Sequence, residues 1–338
     1  MEIWAKAPMR IGLAGGATDL PSYSDTYGGS ILNATISKYV HVRILSKQDN
    51  LVSFKSYDTD EFVEYKTGEL PLDKMPLFCA SYNLMCKKAG NIFPSIQIES
   101  FSDTPVGSGL GTSSTLCVAL IASLANLFDI ELPPIEIANV AYIVERDICG
   151  FSGGKQDQYA SAFGGFNEIT INKDGTVNVE KLHISPNFIS ELETHILLYF
   201  SGKSRFSSKI IDDQENKIKN FKLQTSDALH EIKKEVKLLR KSIENSDIKS
   251  FSKSIARSWE SKKQTSPMVS NVDLNSIIEN VINLGAWSAK VSGAGGGGFI
   301  MLVLPLNKRN LILKCLNIDE HSLQSCVFES SGVLCWRR

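Results

Sequence analysis

The stretch PVGSGLGTSSTLCVAL, residues 105–120, constrains this chain more than any other. Glycine stands at 107, 109 and 111, three hydroxyl residues follow at Thr112, Ser113 and Ser114, and then the run turns apolar. Glycine at this density marks a tight turn or a close approach of the backbone to a bound group. TLCVALIASLANLF, 115–128, carries no charge and is too long for an ordinary strand, which predicts a buried helix. Thr112, Ser113 or Ser114 is its expected cap. A loop entering such a helix presents free N–H groups at the positive helix end, where phosphate is favoured. A plain tight turn with an ordinary cap is the alternative. The loop lacks both the G-x-G-x-x-G spacing of dinucleotide sites and the lysine of a Walker loop.

Two more glycine-rich segments lie far away in the chain, RIGLAGGATDLPSY at 10–23 and KVSGAGGGGFIML at 290–302. Four consecutive glycines at 295–298, followed by an apolar run, suggest that something large passes close to the backbone. A flexible linker is the alternative. The segment AYIVERDICGFSGGKQDQYASAFGG, 141–165, supplies acids. If Glu145 and Asp157 face the middle loop, Glu145 suits Mg²⁺ and Asp157 suits orienting or deprotonating a hydroxyl. Read singly, Glu145 is a solvated helix residue and Asp157 a helix cap.

Around these loops, YVHVRIL (39–45) and LVSFKSY (51–57) flank a KQDN turn signal, which predicts a hairpin. SIQIES (95–100) and THILLYF (194–200) read as strands. Residues 77–90 read as a helix ending at Gly90, and 135–148 as another. From Ser207 to Lys263 the chain is polar, charged and helical in pattern. Leu229, Ile232, Val236, Leu239 and Ile243 share one helix face. Beyond a break near Asn245 the face continues through Ile248, Phe251, Ile255 and Trp259. A helix at 274–287 and short strands at 298–304 and 332–336 close the chain. This order predicts a two-domain α+β protein, divided into residues 1–190 and 191–338.

Lysine and arginine (36) nearly balance aspartate and glutamate (37), which argues against nucleic-acid binding by bulk charge. No apolar run of membrane-spanning length occurs, and MEIWAKAPMR lacks the apolar core of a signal peptide. The seven cysteines form no CxxC, and the five histidines are dispersed. Free buried thiols, a cytoplasmic location and no structural zinc are therefore expected.

Taken together, APMRIGLAGGATDLPSYSDTYGG (7–29), PVGSGLGTSSTLCVAL and SGAGGGGF (292–299) resemble the three motifs of the GHMP kinases, in the family's order and spacing. GLAGGATDLPSY and GGKQDQYASAFGG are similar to the sugar 1-kinase branch. The resemblance implies an N-terminal domain like domain 2 of ribosomal protein S5 and a ferredoxin-like C-terminal domain, with ATP and Mg²⁺ between them. Pro105, Gly107, Ser108, Gly109, Leu110, Gly111, Thr112, Ser113 and Ser114 would hold the nucleotide. Ser113 and Glu145 would bind the metal, Asp157 would be the catalytic aspartate, and Arg10 would steady it or the reacting oxygen. Asp19 matches the acid that recognises sugar hydroxyls, and Gly295 and Gly296 would border the substrate. Met9 replaces a glycine common in the family, and GLGTSST departs from its GLGSSAA.

The implied reaction phosphorylates O1 of a heptose 7-phosphate, on the way to nucleotide-activated heptose for surface polysaccharide. L-Fucose or another free sugar is the alternative acceptor, and a catalytically silent sugar-binding regulator the alternative class. Lys203 and Arg205, in YFSGKSRFSSK (199–209), are the expected anchor for a distal phosphate, or else a solvated basic loop. The expected partner is a small sugar or sugar phosphate, with no nucleic acid and no membrane; a homodimer is left open.

Overall fold

A computed structural model of the chain describes residues 1–202, 207–220, 223–315 and 323–338. Two sheets organise these residues. The first is built on the long strands β1 (Glu2–Ala14) and β2 (Gly29–Ser46), paired antiparallel along their length. Helix α1 (Pro21–Tyr27) fills the connection between them. On the far edge of β2, its second half pairs with β5 (Ile96–Ser102) and its first half with β6 (Phe166–Ile171). Strand β3 (Leu51–Ser56) runs parallel to β5 and forms a hairpin with β4 (Glu61–Lys66). Strand β7 (Val177–Lys181) extends the sheet beyond β6.

The hairpin expected between residues 39–45 and 51–57 does not form. β5 inserts between β2 and β3, pairing with an edge of each, and buries Ile96, Ile98, Ser100 and Ser102 on one face. The partner of β3 is β4, across a turn at Tyr57–Asp60 with Asp60 in the left-handed region at φ 52°.

Helices α2 (Pro76–Lys88), α3 (Thr112–Leu127), α4 (Pro134–Tyr142) and α5 (Gln156–Phe163) stack on one face of this sheet. Helix α3 is the apolar run read from the sequence, buried from Cys117 to Ala125. Its N-cap position is Gly111 at φ 82°, with no side-chain cap; the hydroxyls of Ser113 and Ser114 are engaged elsewhere. Helix α4 runs on into a π-helical turn, Ile143–Ile148.

After α6 (Pro186–His195), the chain enters the second sheet. Its order is β11 (Leu323–Ser325), β8 (Ile196–Phe200), β10 (Phe299–Val303) and β9 (Ser288–Val291), all antiparallel. Helix α7 (Ser207–Lys219) precedes α8 (Leu223–Glu244) and α9 (Ile248–Lys263), and α10 (Val272–Asn283) and α11 (Arg309–Cys315) follow. The expected face of α8 is buried at Leu229, Ile232, Val236, Leu239 and Ile243. The break falls at Ser246 (φ 52°), and the Asp247 carboxylate caps α9 by accepting from the N–H groups of Lys249 and Ser250.

A core of Met9, Ile11, Leu13, Leu32 and Ala34 from the first sheet, Val236 and Leu239 from α8, Phe251 and Ile255 from α9, and Phe299, Met301 and Val303 from β10 joins the two sheets. The last strand, β12 (Leu334–Arg337), returns to pair with β1, so the chain's end belongs to the first sheet. Cys79, Cys86, Cys117, Cys149, Cys326 and Cys335 are free thiols. Among the described residues, no helix is long and apolar enough to cross a membrane.

Arg240 of α8 ties the second half of the chain to the first sheet, donating to Glu168 on β6, to Glu180 on β7 and to Glu244 on its own helix at 2.6–2.8 Å. Replacing Arg240 with alanine should lower unfolding free energy by ~1–2 kcal/mol, as expected for a bidentate network rather than a single exposed pair. Urea titration checks this; the difference should shrink in 1 M salt.

Candidate active site

The middle glycine loop leaves β5 and enters α3 with Gly107, Gly109 and Gly111 at φ 76°, 79° and 82°. Side-chain residues rarely adopt this region, which is why glycine recurs at every second position. Ser108 is buried, and its hydroxyl bonds the side chains of Thr104 and Thr112 and accepts from the Leu110 N–H. Its role is to hold the turn. Pro105 and Ser113 are exposed, and Leu110 is buried.

The third glycine loop packs directly on this turn. A Cβ on Gly109 would stand 2.8 Å from the Ser292 carbonyl oxygen, and one on Gly293 would stand 2.6 Å from that of Gly109. A Cβ on Gly298 would overlap the Ser108 carbonyl, and the Phe299 N–H donates to that carbonyl at 2.9 Å. The close approach inferred from the glycine run is therefore backbone against backbone. Gly295 and Gly296, expected beside the substrate, pack against Val269, whose carbonyl accepts the Gly296 N–H at 2.7 Å.

The π-helical turn brings Glu145 under the start of α3, and the side chain is only 2% exposed. Its Oε1 accepts from Ser113 at 2.7 Å and faces Arg146 at 3.5 Å. Its Oε2 accepts from Ser114 and from Gln158 Nε2, both at 2.6 Å. It is thus no solvated helix residue. A carboxylate beside a hydroxyl is the hard-oxygen donor set that Mg²⁺ takes. Among the described residues, no cluster of three or more acids, histidines or cysteines forms, so an ion here would need phosphate oxygens as well.

Asp157 lies in the first turn of α5, where it does not cap the helix. Arg10, buried on β1, grips it with two parallel bonds, Nε to Oδ1 and Nη2 to Oδ2, both at 2.7 Å. Arg10 Nη1 donates to the Gly109 carbonyl at 2.8 Å, so the same guanidinium is tied to the glycine turn. A Cβ on Gly111 would be 3.2 Å from Asp157 Oδ2, which places the carboxylate at the start of α3. Asp19 is buried nearby and accepts the Gln156 N–H at 3.0 Å. Burial pushes its carboxyl above the usual carboxylate range, and the charge of Asp157 adds to this, against the pull of the Gln156 N–H.

Sequence reasoning missed four partners. Gln158 and Arg146 hold Glu145. Lys290 on β9 donates to the Gly12 and Leu13 carbonyls at 2.8 and 3.0 Å, and Lys262 on α9 donates to the Gly293 carbonyl. The signal for Lys262 was present: it continues the face Ile248, Phe251, Ile255, Trp259 by one more step of three. A lysine in the fully buried β9, just before the glycine run, was the corresponding signal for Lys290. Lys203 and Arg205 lie outside the described residues.

The family model for the GHMP kinases N terminal domain matches residues 76–165, and that for GHMP kinases C terminal matches 239–319. A D-glycero-alpha-D-manno-heptose 7-phosphate kinase of Campylobacter jejuni is 37% identical over 99% of both chains. The crystal structure of a D-glycero-D-manno-heptose 1-phosphate kinase from Bacteroides thetaiotaomicron superposes with a TM-score of 0.83 at 31% identity, covering 99% of each chain. An L-fucokinase/L-fucose-1-P guanylyltransferase of Bacteroides fragilis is 24% identical over 89% of this chain and 34% of its own length. The chain belongs to the GHMP kinases and has their two-domain α+β fold.

If the third loop sets the shape of the second, Gly298→Ala should disturb polyphosphate binding without touching the acids. Inorganic tripolyphosphate, titrated by calorimetry, should bind about tenfold more weakly, the size expected when ~1–3 kcal/mol of backbone strain enters the loop. Unchanged affinity would show that the two loops do not shape each other.

Proposed function

We propose that this GHMP kinase transfers the γ-phosphoryl group of ATP to the anomeric hydroxyl of D-glycero-D-manno-heptose 7-phosphate, giving the 1,7-bisphosphate and ADP. The observation that carries this reading is the 37% identity, end to end, to a heptose 7-phosphate kinase. The heptose 1-phosphate named for the structural relative would have its anomeric oxygen blocked, so the two names predict different acceptors.

The geometry supports phosphoryl transfer. In the reaction the O1–P bond forms, the bond from Pγ to the bridging oxygen breaks, and ADP leaves with that electron pair. Little covalent work falls to the protein; alignment and charge compensation carry most of the rate. The Gly107–Gly111 turn and the uncapped start of α3 present N–H groups to the phosphates. Ser113 and Glu145 are our assignment for the Mg²⁺ ligands; the ion, when bound, neutralises phosphate charge. Ser114, Gln158 and Arg146 hold Glu145 in place for that role.

Asp157 is assigned to the acceptor hydroxyl. The bidentate grip of Arg10 fixes its carboxylate plane. An ordinary aspartate is a weak base for a sugar hydroxyl, so the proton is best taken late, as the O1–P bond forms. Asp19, held by the Gln156 N–H, is assigned to sugar hydroxyls, and its free oxygen is the acceptor it would offer.

Mg²⁺-dependent ADP release should be strong with heptose 7-phosphate and weak with heptose 1-phosphate, mannose 6-phosphate, L-fucose and galactose. Phosphorus NMR should place the new ester on C1. Preference for a free sugar or for the 1-phosphate would reject the acceptor; silence in every case would favour the regulator. Asp157→Asn should lower kcat about 10²–10⁴-fold, within the range of positioned acid–base groups, with a smaller change in either KM. A loss confined to KM would make Asp157 a binding group only.

A further inference from the structure

Lys262 is the buried charge that the assigned chemistry leaves unused. It lies in the last turn of α9, and the residue is 8% exposed. Its amino group reaches a narrow cleft lined by Arg10, Gly12, Gly16, Gln156, Ser258 and Lys290, among others. A Cβ on Gly16 would sit 3.4 Å from that nitrogen. An ammonium carries three donors. Lys290 spends two on the Gly12 and Leu13 carbonyls, whereas Lys262 makes one bond, to the Gly293 carbonyl, among the described residues.

Neither lysine has a carboxylate within salt-bridge distance among the described residues. Of the acids that bear on Lys262, Asp157 is taken by Arg10 and Asp19 by the Gln156 N–H. Beside the cleft Arg10 is matched by Asp157, and burial pushes the Lys290 amine well below and the Asp19 carboxyl above their usual ranges, so among the described residues the Lys262 ammonium is a positive charge in surplus. Burying such a surplus is costly unless an anion compensates it. A neutral sugar offers no compensation; a phosphate monoester does. No residue of the 105–114 loop lines this cleft, so the phosphate in question is not the one carried by the nucleotide.

The geometry points to Lys262 as the cation that receives the distal phosphate of the acceptor sugar, in the cleft between α9 and the first glycine loop. This rests on the heptose-phosphate reading above, and it moves the anchor from Lys203 and Arg205 to a residue whose place in the site is defined. A pH signature should accompany it. Burial and the charge of Arg10 hold the Lys262 amine down at about 8, against the opposing pull of Asp19 and Asp157. The binding form is the cation, so KM for the phosphosugar should climb as pH rises through that value. The substrate's own charge is constant there, since its second ionisation is near pH 6.

The test compares heptose 7-phosphate with free D-glycero-D-manno-heptose. In Lys262→Met, the ratio of their kcat/KM values should fall about 10–150-fold, the size of one charge-assisted hydrogen bond. KM for ATP should stay within about twofold of wild type, and Lys262→Arg should restore most of the ratio. A preserved ratio in Lys262→Met, or an equal loss for both sugars, overturns the assignment. Loss of the ratio in Lys203→Met or Arg205→Met but not in Lys262→Met returns the anchor to that loop. Should Lys262→Met fail to fold, wild-type enzyme still decides: KM for the phosphosugar must rise above pH 8 while that for free heptose does not, and parallel curves overturn the proposal. A wild-type enzyme without preference for the phosphosugar rejects the acceptor reading itself, a result distinct from a preference that survives in Lys262→Met.

Discussion

Two backbones cross at van der Waals distance where Gly109 meets Gly293 and Ser108 meets Gly298, and the rest of the site is hung from that crossing. One backbone enters α3, the other joins β9 to β10, so the crossing fixes the nucleotide-type loop to the second sheet. A Cβ at Gly109, Gly293 or Gly298 would force the two backbones of the crossing apart. Arg10 then reads the result: its N–H donates to the Leu110 carbonyl, its guanidinium to that of Gly109, and its remaining donors to Asp157. The placement of the catalytic candidate is therefore set by main-chain geometry, which is stiffer than any side-chain packing could make it.

Two buried acids, Glu145 and Asp19, and the partly buried Asp157 are told apart by their partners. Glu145 accepts from two hydroxyls and an amide, donors that an ion can displace or share, with the Arg146 guanidinium farther off at 3.5 Å. Asp157 is bonded by a guanidinium, a planar charged partner that fixes both oxygens. Asp19 is held by the Gln156 N–H and otherwise desolvated, and burial raises its carboxyl above the usual range. Composition cannot distinguish these acids; the donors around them do.

What could be read in the sequence was what has a local cause. Glycine at alternate positions announced the turn, an uncharged run announced α3, and three- and four-residue steps announced α8 and α9. What could not be read depends on distant neighbours. The turn signal at residues 47–50 is real, but β5 occupies the edge that a hairpin would have used. The hydroxyls after Gly111 looked like caps until Glu145 appeared beside them. Lys262 is the instructive case, since its periodicity was legible and its charge argued the other way. A lysine on an apolar helix face signals either a long stem reaching solvent or a buried charge with a purpose.

The two sheets are joined by apolar burial, which is non-directional and tolerates a range of angles between them. A phosphoryl transfer does not tolerate that range. A directional restraint across the junction comes from Lys290, which reaches from β9 to the Gly12 and Leu13 carbonyls of β1, while Lys262 of α9 steadies the β9–β10 loop through the Gly293 carbonyl. Each places a cation among carbonyl oxygens and out of water, an arrangement weaker for stability than a carboxylate pair would be. A carboxylate would, however, neutralise the amine permanently. Carbonyls orient the amine without pairing it; burial lowers the proton affinity of both lysines, and an anion entering the cleft would raise it again.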